Sequence, residues 1–425
     1  MKPESGLNSA QLLPALIEGD WPEELSGCYV RNGSLSQFKG TNHSIFDGDG
    51  FLQLIQIKKG QASYSSHLIQ TEGLMREREQ NKSLFESVHL SRPSKNTSNT
   101  SIIAFGNKIL SLWEWGMPYE IGLNPLRTVK QYDFDGQLRH GFTAHPKICA
   151  ISGDLHFLSH HLNTNSELFF GQSSLELKVN YSHEVQLEHA SASVHDFALT
   201  REHIVFFDHP LVYEGESVAW HADRNSKIHI LDRQNPKKRF YIEIAGCWTF
   251  HIVSCERQNS QLNLKACRWP KYPNPLDKPL LYEWIIDLNL QKVAERKISD
   301  IDAEMPTTGL SLTGATCRYV YTCPSSLIES KPVNRFNKTD LISGESTEFI
   351  YGAEEVSGEP FFVAKSNESG LAGDKGWVLN LVTSHVRQQS YLYLHKADSN
   401  CLEVVACIRI PHFIPPGFHG QWISS

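Results

Sequence analysis

The sequence has no Cys-x-x-Cys pair, although it holds nine cysteines, an odd number. Cys28, Cys149, Cys247, Cys255, Cys267, Cys317, Cys323, Cys401 and Cys407 are therefore expected to form neither a disulfide framework nor a thiolate zinc site. Free thiols suit a reducing cytosol, so a cytoplasmic location is expected. Basic charge is also scarce: 40 Lys and Arg face 47 Asp and Glu, for a formal net charge of −7. A nucleic-acid partner needs a basic face to meet phosphate, and none is evident. No window reaches about 18 consecutive apolar residues, the length a bilayer-spanning helix needs. Residues 1–20 lack a basic stretch followed by an apolar run, so they read as a leader segment and not as a signal peptide. There is no HExxH or other local catalytic motif, and almost no long helix-period stretch.

What the chain does contain is a series of short apolar runs broken by turn residues. Residues 51–57 read as a strand, Lys58-Lys59-Gly60-Gln61 as a turn, and 62–70 as the returning strand. The plan repeats at 101–112 around Gly106-Asn107, at 155–159, 167–170, 174–181, 204–207, 227–232 and 239–244. It continues at 262–269, 280–288, 318–322, 348–351, 376–383, 390–395 and 402–408. Many short strands with regular turn signals predict an all-β sandwich or propeller. No repeat of about 40–50 residues is visible, so repeat motifs alone do not decide between them. No composition shift marks a boundary, and closed β architectures accommodate 425 residues in one domain, so residues 1–425 are read as a single domain. Two longer polar links, 210–225 and 322–346, are expected to be loops folded over one face.

Four of the twenty histidines share a setting. His195 lies in Val194-His195-Asp196-Phe197-Ala198, just before an apolar strand. His145 lies in Thr143-Ala144-His145-Pro146, His251 in Thr249-Phe250-His251-Ile252, and His419 in Gly417-Phe418-His419-Gly420. The expectation is that all four meet at one metal. Taken singly, a histidine before an apolar strand is ordinarily a satisfied core or surface residue, and His156 and His209 occupy comparable settings.

Several stretches together resemble the carotenoid cleavage oxygenase family, which includes apocarotenoid and stilbene oxygenases and the retinal pigment epithelium isomerase. Leu25-Ser26-Gly27-Cys28-Tyr29-Val30-Arg31-Asn32-Gly33 resembles its opening signature, and Phe46-Asp47-Gly48-Asp49-Gly50 its FDGDG element. The four histidine settings occur in the family's order, and the similarity runs from about residue 21 to 422. The resemblance implies a seven-bladed β-propeller with iron on its axis and with loops and short helices capping one face. It implies that His145, His195, His251 and His419 bind Fe(2+), and that Glu114, Glu304 and Glu359 brace three of them. By the same resemblance, Thr100 lies near an open iron position. Asp47 and Asp49 read as turn caps, with calcium binding as the alternative. Trp113, Trp115, Phe142, Trp248, Phe250, Phe418 and Trp422 flank these residues and are the candidate walls of a substrate tunnel.

The activity this implies is oxidative cleavage of a conjugated double bond of a carotenoid or apocarotenoid by O2, giving two carbonyl products. Relatives that cleave phenolic stilbenes carry a lysine just before the first bracing glutamate. Here that position is Trp113, which favours an apocarotenoid or carotenoid over a stilbene of the lignostilbene type. Isomerisation or ester cleavage on the same iron is a further alternative, and so is a non-catalytic β-propeller binding module. A polyene substrate implies peripheral membrane contact at the tunnel mouth. Two departures from the family stand out. Ile252 follows His251 where a second histidine is usual, and the chain is shorter than most relatives.

Overall fold

The structure is a computed structural model that describes residues 12–40, 44–86, 95–159, 166–188, 194–214, 217–272, 277–308, 317–325, 333–365, 375–398 and 401–425. It is all-β and has the propeller arrangement. Five separate four-stranded antiparallel sheets cover residues 101–131, 147–186, 197–244, 248–297 and 304–350. Seven blades were expected, and only these five stand as separate sheets. Apart from the pair Leu211–Glu214 and Ser217–Trp220, the other described strands form one ten-stranded sheet, because Leu13–Gly19 joins two halves of it. That strand pairs with Gln61–Leu68 through Leu13↔Tyr64 and with Val404–Ile410 through Ile17↔Ile408. The segment read as a leader is thus partly a strand of this sheet. Residues 1–11 lie outside the described residues.

The ring closes where the last strand, Gly417–Ser424, pairs with an early one, Gly27–Gly33, through Tyr29↔Trp422 and Val30↔Gln421. Radial repetition of small sheets leaves only short edges with unpaired N–H and C=O groups. Within each sheet the residues sort by depth. Gly376–Ser384 is buried along its whole length, whereas the outer strand Lys292–Lys297 is mostly exposed and charged. Hydrophobic clusters fill the spaces between successive sheets. Leu158, Phe170, Phe197 and Phe206 join 147–186 to 197–244, and Val205, Ile228, Leu264 and Trp284 join 197–244 to 248–297.

The first strand of each four-stranded sheet lies innermost. Ser101–Phe105 adjoins Gly417–Ser424, which adjoins Pro360–Ala364, and the ring continues through Glu304–Thr308, Trp248–Gln258 and Phe197–Leu199. Neither polar link is simply a loop. Within 210–225, Leu211–Glu214 and Ser217–Trp220 form a hairpin. Within 322–346 lies the strand Arg335–Asp340, and 326–332 fall outside the described residues. Among the described residues there is one α-helix, Glu72–Gln80, whose N-terminus is capped by the Thr71 side chain. It packs Leu74 against Phe51 and Leu68.

Candidate metal centre

The innermost strands deliver the four histidines to one place because each carries its histidine within or just before its first residues. His145 precedes Lys147–Ile148, His195 precedes Phe197–Leu199, His251 lies in Trp248–Gln258 and His419 in Gly417–Ser424. The ring centroid of His145 is 4.6 Å from His195, 5.1 Å from His251 and 4.7 Å from His419. The Nε2 atoms of His195 and His251 are 3.4 Å apart. Ligand atoms of His145, His251 and His419 all lie within 4.8 Å of one another, a group able to hold a metal ion.

Three carboxylates stand behind three of the rings. Glu304 Oε2 is 2.6 Å from His251 Nδ1, and Glu359 Oε1 is 2.8 Å from His419 Nδ1. Glu114 pairs with His195 Nδ1. A partner on Nδ1 fixes the tautomer and leaves Nε2 as the lone-pair donor. The second oxygens of Glu304 and Glu359 are satisfied as well: Trp269 Nε1 donates to Glu304 Oε1 at 2.8 Å, and the Gly420 N–H donates to Glu359 Oε2 at 2.9 Å. Glu304 is wholly buried, and Met305 beside it has φ 50°, a left-handed conformation uncommon outside glycine.

The electrostatics follow from burial and these pairs. Burial pushes the His145 imidazole well below its usual pKa, and His195, His419 and His251 add to this. His251 is also lowered, chiefly by burial, with Glu304 working the other way. For His195, burial is the largest single influence and works downward, but Glu114, with Asp196 and Glu304, outweighs it and the value is raised. Glu304 is held below the usual carboxylate range: burial opposes this, and His251, Trp269 and the Met305 N–H overcome it. Imidazoles with inward Nε2 atoms, backed by carboxylates, are the chemistry of a metal site.

The other expected residues are placed as follows. The Thr100 side chain donates to Asn99 Oδ1 at 3.1 Å, and its carbonyl accepts the His419 N–H at 3.2 Å. Phe250 lies edge-on to His195 with centroids 5.3 Å apart, and Trp248 is edge-on to Phe250 at 5.2 Å. Phe418 stacks on Phe46 of the FDGDG element at 5.8 Å. Trp113 is buried edge-on against Trp115 at 5.2 Å. Two tunnel candidates do not fit. Phe142 is fully shielded between Phe134 and Phe157 in the core joining two sheets, and Trp422 packs into the core of the ten-stranded sheet. Asp47 caps the turn at Ser44 as expected. Asp49 accepts the Gln37 N–H at 3.0 Å and pairs with buried Lys95 at 2.5 Å, so a cation already faces it and calcium is not favoured there. His156 and His209 are ordinary core histidines: His156 meets Arg233 at 2.9 Å, and His209 meets Thr249 at 2.9 Å.

Sequence reasoning missed Trp269, which bonds Glu304 from the far end of a neighbouring strand. It also gave no role to Lys147 and Asp196, which pair at 2.7 Å beside the histidines. Both line, with Ile102 and Pro306, a cavity of about 210 Å³ that reaches His145, His251 and His419.

Comparison with known proteins accounts for this arrangement. The family model described as retinal pigment epithelial membrane protein matches residues 6–424. The chain belongs to the retinal pigment epithelial membrane protein family. Members of this family similar to it include a chloroplastic 9-cis-epoxycarotenoid dioxygenase of Arabidopsis thaliana, 25% identical over 96% of this chain and 78% of that protein. The apocarotenoid-15,15'-oxygenase of Synechocystis is 26% identical over 96% of this chain and 92% of that protein. A structure of the Synechocystis apocarotenoid oxygenase, a Glu150Asp mutant in that protein's own numbering, superposes with TM-score 0.88 at 24% identity, covering 99% of this chain and 98% of that one. The lignostilbene dioxygenase of Pseudomonas brassicacearum superposes with TM-score 0.87 at 21% identity over the full length of both chains. These superpositions establish the family fold for this chain.

Proposed function

We propose that this chain is a non-haem Fe(II) dioxygenase that cleaves a conjugated carbon–carbon double bond of a carotenoid or apocarotenoid with O2, giving two carbonyl products. The observation that carries the reading is the cluster of four imidazoles, three of them backed by carboxylates. The donor set fits the ion. Imidazole suits Fe(II), and four neutral ligands leave its charge uncompensated, which favours the reduced state. Among the described residues the buried Nε2 of His145 has no hydrogen-bond partner, a costly arrangement unless it donates to a metal. His145, His195, His251 and His419 would hold the iron, which when bound supplies a Lewis-acidic redox centre for O2 chemistry.

The chain's own residues do the positioning. Glu114, Glu304 and Glu359 hold the Nδ1 sides of three rings, so Nε2 faces inward. Thr100 would face the open side of the site, and its carbonyl accepts the His419 N–H. Trp113, Trp115, Trp248, Phe250 and Phe418 supply apolar surface that would exclude water and present one double bond of a small hydrophobic substrate. No side-chain acid or base is needed.

Two architectural points belong to the same reading. The ten-stranded sheet counts as two blades fused through Leu13–Gly19, which makes seven blades in one domain spanning 1–425. An odd number of cysteines with no Cys-x-x-Cys pair supports a cytoplasmic location. No helix among the described residues is long and apolar enough to cross a membrane. A polyene that partitions into lipid would make the tunnel mouth a point of peripheral membrane contact.

The test is a product assay. Protein purified without oxygen should carry about one iron, and with an apocarotenal it should consume O2 and release two carbonyl fragments. A loaded protein that cleaves neither polyenes nor stilbenes would sink the reading, and absence of metal with no O2 uptake would point to a non-catalytic propeller. A second reading, cleavage of a phenolic stilbene, draws on the likeness to the lignostilbene dioxygenase and to an isoeugenol monooxygenase of Pseudomonas putida. Trp113 in place of a lysine weighs against it.

A further inference from the structure

Of the four histidines, His145 is the one with no carboxylate hydrogen-bonded to its ring among the described residues. Its main chain is held instead. The His145 N–H donates to Thr143 Oγ1 at 3.1 Å, and the preceding carbonyl of Ala144 accepts from Ser101 Oγ at 2.5 Å. Two residues on, Lys147 Nζ lies 2.7 Å from Asp196 Oδ1, and the Asp196 side chain is 3% exposed.

Asp196 reaches further than this pair. It directly follows His195, and its Oδ1 accepts the Phe197 N–H at 2.8 Å, which fixes the carboxylate on its own strand. Its Oδ2 accepts the N–H of Ile252, the residue after His251, at 2.9 Å. That donor is available for a local reason. The strand Trp248–Gln258 carries two register shifts against its neighbour, between Thr249 and Ile252 and between Ile252 and Ser254. It is also the edge strand of its sheet, with a ladder on one side only, so N–H groups facing the other side have no ladder partner, and a buried donor left so is costly. Asp196 takes the Ile252 N–H. One carboxylate therefore ties together the chain beside His145, His195 and His251, which come from three different sheets.

We propose that Asp196 is a positioning residue of the metal site, setting the separation of three histidine-bearing strands and substituting, through Lys147, for the carboxylate that His145 lacks. The proposal rests on the reading that the histidines hold a metal. Asp196 touches no ligand ring, so its effect passes through the backbone. Metal sites are sensitive to such distant supports, and loss of an outer partner typically lowers affinity about 10–100-fold.

The test has two arms. In the first, Co(II) is titrated into metal-free protein and followed by visible absorption. Asp196→Ala should weaken binding by about tenfold or more. In the second, amide hydrogen exchange of the metal-free protein is read by mass spectrometry. Asp196→Ala should speed exchange in the segment containing Ile252, whereas Asp196→Asn, which keeps an acceptor oxygen, should leave that segment slow and lose less affinity. Lys147→Met should weaken Co(II) binding without changing exchange at Ile252. If Asp196→Ala does not fold, the Asn and Met variants decide. Unchanged Co(II) affinity in a variant with faster exchange would reduce Asp196 to a structural tie and overturn the proposal. In Asp196→Ala, weakened binding with unchanged exchange would overturn it too, because the effect would not pass through the strand. A wild-type chain that binds no Co(II) would instead sink the metal reading, with the tie itself still judged by exchange.

Discussion

Glu304 Oε2 sits 2.6 Å from His251 Nδ1, and the carboxylate that makes this contact has no exposed surface. An unpaired anion cannot be kept at such depth, so the pair and its supporting donors stand or fall together. Trp269 Nε1 and the Met305 N–H complete the set.

Glu304→Gln tests that pair. Gln can still accept from Trp269, but it brings no charge to hold the His251 tautomer. Metal affinity should fall about 10–100-fold, measured by titration of the metal-free protein. The fold should persist, as judged by circular dichroism.

His195→Ala should remove metal loading without unfolding the chain. The His195 side chain is about 10% exposed, and its main contacts are site residues. Metal content of the purified variant is the measurement. Iron and activity at wild-type levels would take His195 out of the ligand set.

Lys95→Met should be strongly destabilising. Lys95 Nζ lies 2.5 Å from Asp49 and 2.6 Å from Glu77, and all three side chains are at most 2% exposed. Removing the cation strands two buried carboxylates, at a cost of about 3–5 kcal/mol. Urea unfolding of the variant should show a matching fall in midpoint at unchanged slope.

Stability should decline as pH falls below about 6.5. Burial pushes His209 down to about 3 and His395 down to about 4. In the unfolded chain each returns to about 6.5. Between those values the unfolded chain binds protons that the folded protein refuses. Each histidine then costs about 1.4 kcal/mol per pH unit, from 6.5 down towards its folded value, and nothing above 6.5. Unfolding free energy measured at pH 7, 6 and 5 should show the slope, and His209→Gln should reduce it.

Legibility in the sequence tracked local regularity. The strands 155–159 and 239–244 were read to the residue, because apolar side chains recur there between clear turns. The strand Trp248–Gln258 was missed, although it carries His251. Its two register shifts break the alternation that marks a strand. Glu304–Thr308 was missed for a related reason: Pro306 and a bulge interrupt it. The strand Val179–Gln186 was placed several residues too early, within a polar run that gives no sharp boundary.

By itself the sequence determined the class of fold, through short apolar runs between turns, and singled out four histidines and three glutamates, through a resemblance spread along nearly the whole chain. It could not bring them together, because no two of the histidines are near neighbours in sequence. Only ring closure by Gly417–Ser424 against Gly27–Gly33 places His419 beside His145 and His251. The tertiary structure alone decided that Phe142 is core, that Leu13–Gly19 is a strand and that Asp196 binds three histidine-bearing segments. Each of these depends on a partner far away in the chain, and side-chain periodicity carries no information about such partners.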